Sequence, residues 1–252
     1  MSVALSCISN LGDAGNVMII RPPYELPRMD PVAQLRAGRL VRRLPQLLCG
    51  LALYGWSMAM MIKAGLGLDP WDTFHQGLTR YIPLSFGQIT MVVGALVLLA
   101  WIPLRQWPGI GTVSNVVIIG LAADAGLALL PTPESLGSRI AMMVAAVMLN
   151  GLAGAAYIGT HLGPGPRDGL MTGLAARTGR SLRVIRIGLE LTVLAVGFAL
   201  GGVVGVGTVL YAIAIGPLVQ FFLPYVAVRL PPATGAGEIT PAGCEAGAYP
   251  PG

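Results

Sequence analysis

Glu190 is an acidic residue inside a run of apolar residues, and such a residue costs about 2.5–3.5 kcal/mol to insert at the centre of a membrane helix. It lies six residues after Val184, where the predicted span begins, or about 9 Å along a helix. Arg186 precedes it by four positions, so the two side chains share one helix face. Either Glu190 belongs to a substrate or ion pathway, or it only pairs with Arg186.

Two short polar motifs each place an aspartate shortly after a proline. Asp72 follows Pro70, and Asp168 follows Pro166. Proline suits the first turn of a helix, and a carboxylate there meets free N–H groups and the positive end of the helix dipole. Asp69 suits the N-cap before Pro70. The aspartates are therefore either helix caps or polar groups that line a pathway at broken helices.

Arg167, which stands between Pro166 and Asp168, belongs to a basic stretch that continues to Arg186. This stretch indicates either a site for an anionic solute or lipid, or simply the arginine excess of cytoplasmic loops. Asp124 is a further candidate because it lies in the third predicted span. Its position near the outer end of that span also fits an exposed or capping aspartate.

No motif for enzymatic chemistry stands out. His75 and His161 lack the accompanying ligands of a metal site, and each is better interpreted as a hydrogen-bonded structural histidine. The glycine-rich motifs lack the Lys-Ser or Lys-Thr of a phosphate-binding loop. We therefore expect no enzymatic activity, no cofactor and no metal.

The composition predicts a membrane protein, with 54% apolar and 11% charged residues against about 25% charged in soluble domains. Six segments are long and apolar enough to cross a bilayer, which needs about 20 residues. They are Leu44–Met61, Phe86–Leu104, Ile110–Leu130, Ile140–Gly159, Val184–Val203 and Val206–Val228. The lipid bilayer is therefore the expected environment.

The sequence repeats at an offset of 96 residues. Residues 66–72 correspond to residues 162–168, and Gly109–Val113 corresponds to Gly205–Val209 without a gap. The same offset maps the last three predicted spans close to the first three. Residues 44–130 and 140–229 are therefore predicted to be two copies of one unit, flanked by disordered segments at 1–43 and 230–252.

Each copy contributes three crossings, an odd number, so the second copy must enter the membrane from the opposite side. The fold predicted is an all-α membrane protein of six transmembrane helices, built from two inverted three-helix repeats, each with a short broken helix. Residues 65–82 and 161–178, which hold the broken helices, are too polar and glycine-rich to cross as ordinary helices. Both interfacial and re-entrant placements remain open for them.

Basic residues flank the spans unequally, which predicts both termini in the cytoplasm. The predicted outer side holds Lys63, Arg80 and Arg139, whereas the predicted inner side holds Arg36, Arg39, Arg42, Arg43, Arg105, Arg167, Arg177, Arg180, Arg183, Arg186 and Arg229. The net charge of +5 is explained by this bias, and it does not indicate nucleic-acid binding.

The paired motifs at residues 65–72 and 162–170, together with residues 205–208, Glu190 and Gly216–Pro217, resemble the YczE/YyaS/YitT family of bacterial integral membrane proteins, in particular its YczE-like branch. The resemblance spans roughly residues 44–229. It implies a location in the bacterial inner membrane and no particular substrate.

Two functions fit these observations. Inverted repeats, paired broken helices and Glu190 favour a permease or ion-coupled transporter for an unknown small solute. The modest size and scarce buried charge also fit an accessory membrane protein that scaffolds others. A weaker third option is a lipid-handling protein that uses the arginine cluster. The sequence gives no indication of the oligomeric state.

Overall fold

The computed structural model describes residues 31–228 and residue 230, and within this part of the chain the helices are joined by loops and no strand occurs. Its helices are α1 (Pro31–Arg36), α2 (Leu40–Ala64), α3 (Pro70–Leu78), α4 (Phe86–Leu104), α5 (Ile110–Leu129), α6 (Leu136–Ile158), α7 (Pro166–Thr178), α8 (Leu182–Ala199) and α9 (Val206–Val226).

The terminal segments predicted to be disordered lie largely outside the described residues. The end of the first one differs from the prediction, because α1 and the first turn of α2 fall within 1–43. The second, 230–252, is described at residue 230 alone.

Within the described residues, five helices are long and apolar enough to cross a membrane, namely α2, α4, α5, α6 and α9. The fifth predicted span corresponds to α8, which is not among these five helices. Its 18 residues include three charged ones, Arg183, Arg186 and Glu190. With 9 and 13 residues, α3 and α7 are too short to cross. The chain is thus a multi-pass helical membrane protein with two short helices between its long ones.

Side-chain caps set several helix starts. The Ser85 hydroxyl accepts the N–H of Gln88, whose side chain in turn accepts the N–H of Ser85, so α4 begins with a capping box. Ser181 caps α8 by accepting the N–H of Val184. Ser85 and Ser181 stand 96 residues apart, so the same kind of cap starts corresponding helices in the two halves of the chain.

The helix starts repeat with the sequence offset. Adding 96 to the first residues of α2, α3, α4 and α5 gives 136, 166, 182 and 206, which are the first residues of α6, α7, α8 and α9. The order of long, short, long and long helices is therefore the same in both halves.

Contacts between the halves are reciprocal. Gly111 of the first half donates its N–H to the Leu162 carbonyl at 2.8 Å, and Gly207 of the second half donates to the Leu66 carbonyl at 2.8 Å. Exchanging the halves by the offset of 96 converts one bond into the other. Both acceptor loops need a glycine next, because Gly67 and Gly163 have φ of 121° and 122°.

Two arginines make a second pair of reciprocal contacts between the halves. Arg43 Nε donates to the Thr160 carbonyl at 2.6 Å, and Arg139 Nε donates to the Ala64 carbonyl at 2.8 Å. Each arginine thus satisfies a carbonyl at the C-terminal end of the opposite half's first long helix, where carbonyls lack partners within the helix. Arg43, predicted only as a topology residue, is fully buried in this role.

The centre of the molecule is the pair of first long helices, α2 and α6, with α5 packed on α2 and α9 on α6. The other helices pair across the halves, α3 with α8 and α4 with α7. Glycine makes both of these contacts possible. Gly169 of α7 lies against the Trp101 ring, and Gly197 of α8 lies against the backbone of Thr73.

The helix face that carries Arg186 and Glu190 continues to Gly197 and ends there. Gly201 has the spacing to continue this face, but α8 ends at Ala199 and Gly201 has φ of +89°. A left-handed residue cannot continue a helix. Of the two glycines, only Gly197 therefore packs as a helical residue.

Candidate functional site

A cavity of about 140 Å³ lies where the two halves meet. The N-terminal ends of both short helices contribute to its wall, as do α2, α4, α5, α6, α8 and α9. Its charged wall residues are Asp69, Arg167, Asp168, Arg186 and Glu190. Four of the predicted site residues are thus brought together by the fold, although they come from two separate helices.

Asp69 organises the start of α3. Its Oδ1 accepts the N–H of Asp72 at 2.7 Å, and Pro70 occupies the first helical position. This is the cap predicted from the sequence. Asp69 is only 2% exposed and Asp72 is fully buried, so both carboxyl groups are held away from bulk water and need nearby positive charge.

Arg167 supplies that charge. Its Nη1 lies 3.9 Å from Asp69 Oδ2, and its Nη2 lies 3.5 Å from Asp72 Oδ1. The guanidinium also stands 5.0 Å from the ring centroid of Trp71, within cation–π range. Position 167 corresponds to position 71 at the offset of 96. Corresponding positions of the two short helices therefore contact each other.

Desolvation by burial raises the pKa of Asp69 and of Asp72 above the ordinary aspartate value, and the Arg167 charge opposes that rise. Both groups belong to the start of α3, outside the membrane-crossing helices. Their shift is in the direction that favours proton uptake near neutral pH.

His75 lies behind Asp72. Its Nδ1 is 3.6 Å from Asp72 Oδ1 and 3.3 Å from Thr90 Oγ1, and the Thr90 hydroxyl itself donates to the Phe86 carbonyl. The histidine is thus hydrogen-bonded and buried, in agreement with its interpretation from the sequence. Asp72 is thereby linked to Arg167 on one side and to a second titratable group on the other.

Asp168 differs from its counterpart Asp72, because its side chain is exposed toward the cavity. The Tyr157 hydroxyl donates to its Oδ2 at 3.2 Å. Among the described residues, no Arg, Lys or His side chain lies within ion-pair distance of this carboxylate. Asp168 is therefore a reachable carboxylate without a direct counter-ion.

Arg186 and Glu190 form the helix pair that their spacing predicted, with 2.9 Å between Nε and Oε1. Both residues line the cavity, and their side chains are 58% and 34% exposed. The structure therefore places this pair at the cavity wall and not in a dry interior.

Three tyrosines complete the wall, one each from α2, α6 and α9, namely Tyr54, Tyr157 and Tyr211. The rings of Tyr54 and Tyr157 meet edge to face. The Tyr211 hydroxyl donates to Asn150 Oδ1 at 3.2 Å, and Asn150 donates to Ser57 at 2.8 Å. Asn150 of α6 thus bonds to side chains of both α2 and α9.

Asp124 lies away from the cavity. Its carboxylate accepts the N–H of Gly87 at 2.7 Å and the hydroxyl of Ser85, which fixes the start of α4 against α5. This placement fits the capping alternative offered by the sequence.

Sequence reasoning did not identify the aromatic wall, nor Asp69 as more than a cap. The tyrosines come from helices that are far apart in the chain, and only packing brings them together. For Trp71 a signal existed, because the repeat alignment sets it opposite Arg167.

Comparison with known proteins agrees with the membrane architecture. A family model described as a family of unknown function, DUF6198, matches residues 41–224. An uncharacterized protein of Haemophilus influenzae is 40% identical over 185 residues, covering 73% of this chain and 84% of that protein. The membrane protein YczE of Bacillus subtilis is 35% identical over 187 residues, covering 73% and 87%.

A second Bacillus subtilis protein, YyaS, is 24% identical over 181 residues, covering 70% of this chain and 90% of its own length. No solved structure matches. The resemblance inferred from the paired motifs is therefore confirmed for its YczE and YyaS members, and the chain belongs to the DUF6198 family of YczE-like membrane proteins.

Proposed function

We propose that this protein is a transporter of a small polar solute in the bacterial inner membrane, coupled to an ion gradient. The observation that carries the proposal is the charged cavity between the halves, whose wall includes the starts of both broken helices. Binding sites at the junction of two repeats, formed by interrupted helices, are a recurring design of secondary transporters.

The arrangement of the helices supports two inverted halves. The first half has α2, α4 and α5 as its long helices, and the second has α6, α8 and α9. With α8 counted as a span, each half crosses three times, and the halves have opposite orientations. The charges of α8 are compatible with crossing, because Arg186 and Glu190 face the cavity.

The reciprocal bonds also support this proposal. Gly111–Leu162 and Gly207–Leu66 are exchanged by the same operation that exchanges the helices. In the proposed orientation both termini are cytoplasmic, so the α3 motif approaches the cavity from outside and the α7 motif from inside. A site with access from both sides is what alternating access requires.

Coupling would act through the carboxylates around Arg167. Asp72 has two neighbours that respond to its charge, Arg167 at 3.5 Å and His75 at 3.6 Å. Protonating Asp72 would loosen Arg167, which also contacts Asp69 and Trp71 from the opposite short helix. A proton could therefore change how the two halves hold each other at the cavity.

The test is uptake into proteoliposomes that contain the purified full-length protein. Radiolabelled amino acids, amines, carboxylates and sugars would be screened with and without an imposed proton gradient. We expect one solute class to accumulate above protein-free liposomes and an ionophore to remove the accumulation. Failure of correctly folded protein to move any of them would contradict transport and favour an accessory role.

Variants of the proposed coupling group make the test specific. Asp72→Asn keeps the side-chain shape and removes the titratable group, so gradient-driven accumulation should be lost while solute exchange persists. Glu134→Gln is the matched control, since it removes a carboxylate from the exposed loop between α5 and α6. Unchanged accumulation in Asp72→Asn would contradict this coupling role.

A further inference from the structure

We propose that the cavity binds a small organic cation, whose ammonium group lies against Asp168 and the tyrosine rings of the wall. This inference names the ligand class of the transport site and so rests on the proposed function. It is drawn from three features of the cavity, namely its charge, its aromatic surface and its buried polar atoms that make no hydrogen bond.

Charge favours a cation. Three carboxyl groups line the cavity against two guanidinium groups; they are Asp69, Asp168 and Glu190 against Arg167 and Arg186, while the fully buried Asp72 lies behind the wall next to Arg167. Arg167 is shared by Asp69 and Asp72, and Arg186 is paired with Glu190. The Asp168 carboxylate accepts the Tyr157 hydroxyl, and among the described residues no arginine, lysine or histidine lies within ion-pair distance of it, so it is the wall carboxylate best placed to meet a cationic ligand.

The aromatic surface also suits a cation. Tyr54, Tyr157 and Tyr211 line the cavity from three helices, and tyrosine faces attract ammonium groups within about 6 Å of the ring centroid. Clustered aromatic rings are the groups by which proteins recognise quaternary ammonium ligands. Trp71 already holds the Arg167 guanidinium in this way, so the site contains one such contact of its own.

Two wall atoms add hydrogen-bonding capacity. Asp69 Oδ2 and Trp71 Nε1 are buried and make no hydrogen bond, while Asp69 and Trp71 are 2% and 7% exposed. Both residues line the cavity. A buried carboxylate oxygen favours a cationic or donor group, and the indole N–H favours an oxygen acceptor. A ligand hydroxyl group can both donate and accept, so it would supply the missing hydrogen bonds.

The volume limits the ligand to a small molecule. A cavity of about 150 Å³ is known to hold benzene, and this one has about 140 Å³. Choline has one more non-hydrogen atom than benzene and combines an ammonium group with a hydroxyl. It is therefore a suitable probe, and its uncharged isostere, in which carbon replaces nitrogen, is the matched control ligand.

The experiment measures equilibrium binding to the full-length protein in detergent, by calorimetry and by thermal shift at constant ionic strength. We expect choline chloride to bind saturably and raise Tm, whereas the isostere and sodium acetate do not. Equal responses to choline and its isostere, a preference for acetate, or no binding of any probe would overturn the inference.

Variants identify the site. Asp168→Asn should weaken choline binding by about tenfold or more, since it removes the facing charge, and Asp168→Glu should retain most of the affinity. Glu134→Gln should bind as the parent does. If Asp168→Asn fails to fold, Tyr211→Leu against Tyr211→Phe tests the ring contact. Unchanged affinity in folded Asp168→Asn or in Tyr211→Leu would contradict the assignment.

The two proposals fail separately. Binding in detergent requires no movement of solute, so choline binding without uptake would contradict the transport proposal and leave the proposed ligand class intact. Uptake of an anion or a sugar, with no choline binding, would contradict the ligand class and leave the transport proposal intact.

Discussion

Replacing Glu190 by glutamine separates a pathway role from a purely structural one. Glutamine has nearly the same shape, so the change removes the charge and leaves the packing of α8 intact. Glu190 lines the cavity and its side chain is 34% exposed. If Glu190 handles the solute or the coupling ion, uptake by Glu190→Gln proteoliposomes should fall by about tenfold or more.

The structural cost of this change is small. Arg186 and Glu190 are an i, i+4 pair with side chains 58% and 34% exposed. Such exposed helix pairs contribute about 0.3–0.5 kcal/mol, far below the roughly 3–5 kcal/mol for breaking a buried pair. A chain of this size shifts by about 2–4 °C per kcal/mol, so we expect Tm to fall by no more than ~2 °C.

The assay therefore measures uptake and Tm for the same preparation. Arg186→Gln breaks the same pair from the other side, and Arg183→Gln removes a charge from an exposed position of α8. A large loss of uptake in Glu190→Gln with Tm nearly unchanged fits the pathway role, and Arg183→Gln should transport normally. Full uptake in Glu190→Gln together with a lower Tm would refute it and leave Glu190 as a partner of Arg186.

Three further predictions concern packing, pH and topology. Gly169→Ala should lower stability by about 1–3 kcal/mol, because its Cβ would overlap the buried Trp101 ring, whereas Gly188→Ala on α8 meets open space and should not lower Tm. Burial raises the pKa of Asp72, so its contribution to stability is fully present below about pH 3.9 and is lost as pH rises through the raised pKa. Thermal melts should therefore show Asp72→Asn flattening that dependence, and an unchanged profile would contradict it. Reporter fusions should place Glu134 outside and Gly179 inside, and the same side for both would exclude the inverted arrangement.

Helix positions were predictable because local signals agree with each other. Phe86–Leu104 was predicted to the residue from its apolar run, and the structure shows that a Ser85–Gln88 capping box fixes its start. Both short helices begin at the prolines that suggested them. The start of α2 was placed four residues late, at Leu44 instead of Leu40. Hydropathy counts Arg43 as a loop residue, yet carbonyls of the other half satisfy its buried guanidinium.

The cavity was predictable in its charged residues and not in its shape. Glu190 and Asp168 stood out because charges are rare in this chain, with 11% of residues charged. The tyrosines carry no such signal, since an isolated tyrosine in a membrane helix is as suitable for lipid contact as for a binding site. Only the packing of α2, α6 and α9 brings their rings to one wall.

The two halves share their framework and differ in their chemistry. Positions that set the backbone keep the same residue at the offset of 96, as with Pro70 and Pro166 or the caps Ser85 and Ser181. Several other cavity positions do not: Trp71 corresponds to Arg167, Asp69 to Gly165, and Gly94 to Glu190. These exchanges have a physical reason.

An identical pair of short helices would bring two Asp–Pro–Trp–Asp motifs together, so that four carboxylates would meet without a cation in a buried space. Replacing one tryptophan by arginine and one capping aspartate by glycine removes part of that repulsion and adds a counter-charge. The remaining carboxylate of the second motif, Asp168, then faces the cavity. The same departure from symmetry that adds a counter-charge at the junction of the halves thus leaves Asp168 as an accessible carboxylate, with no arginine or lysine of the described residues in ion-pair distance, beside three tyrosine rings.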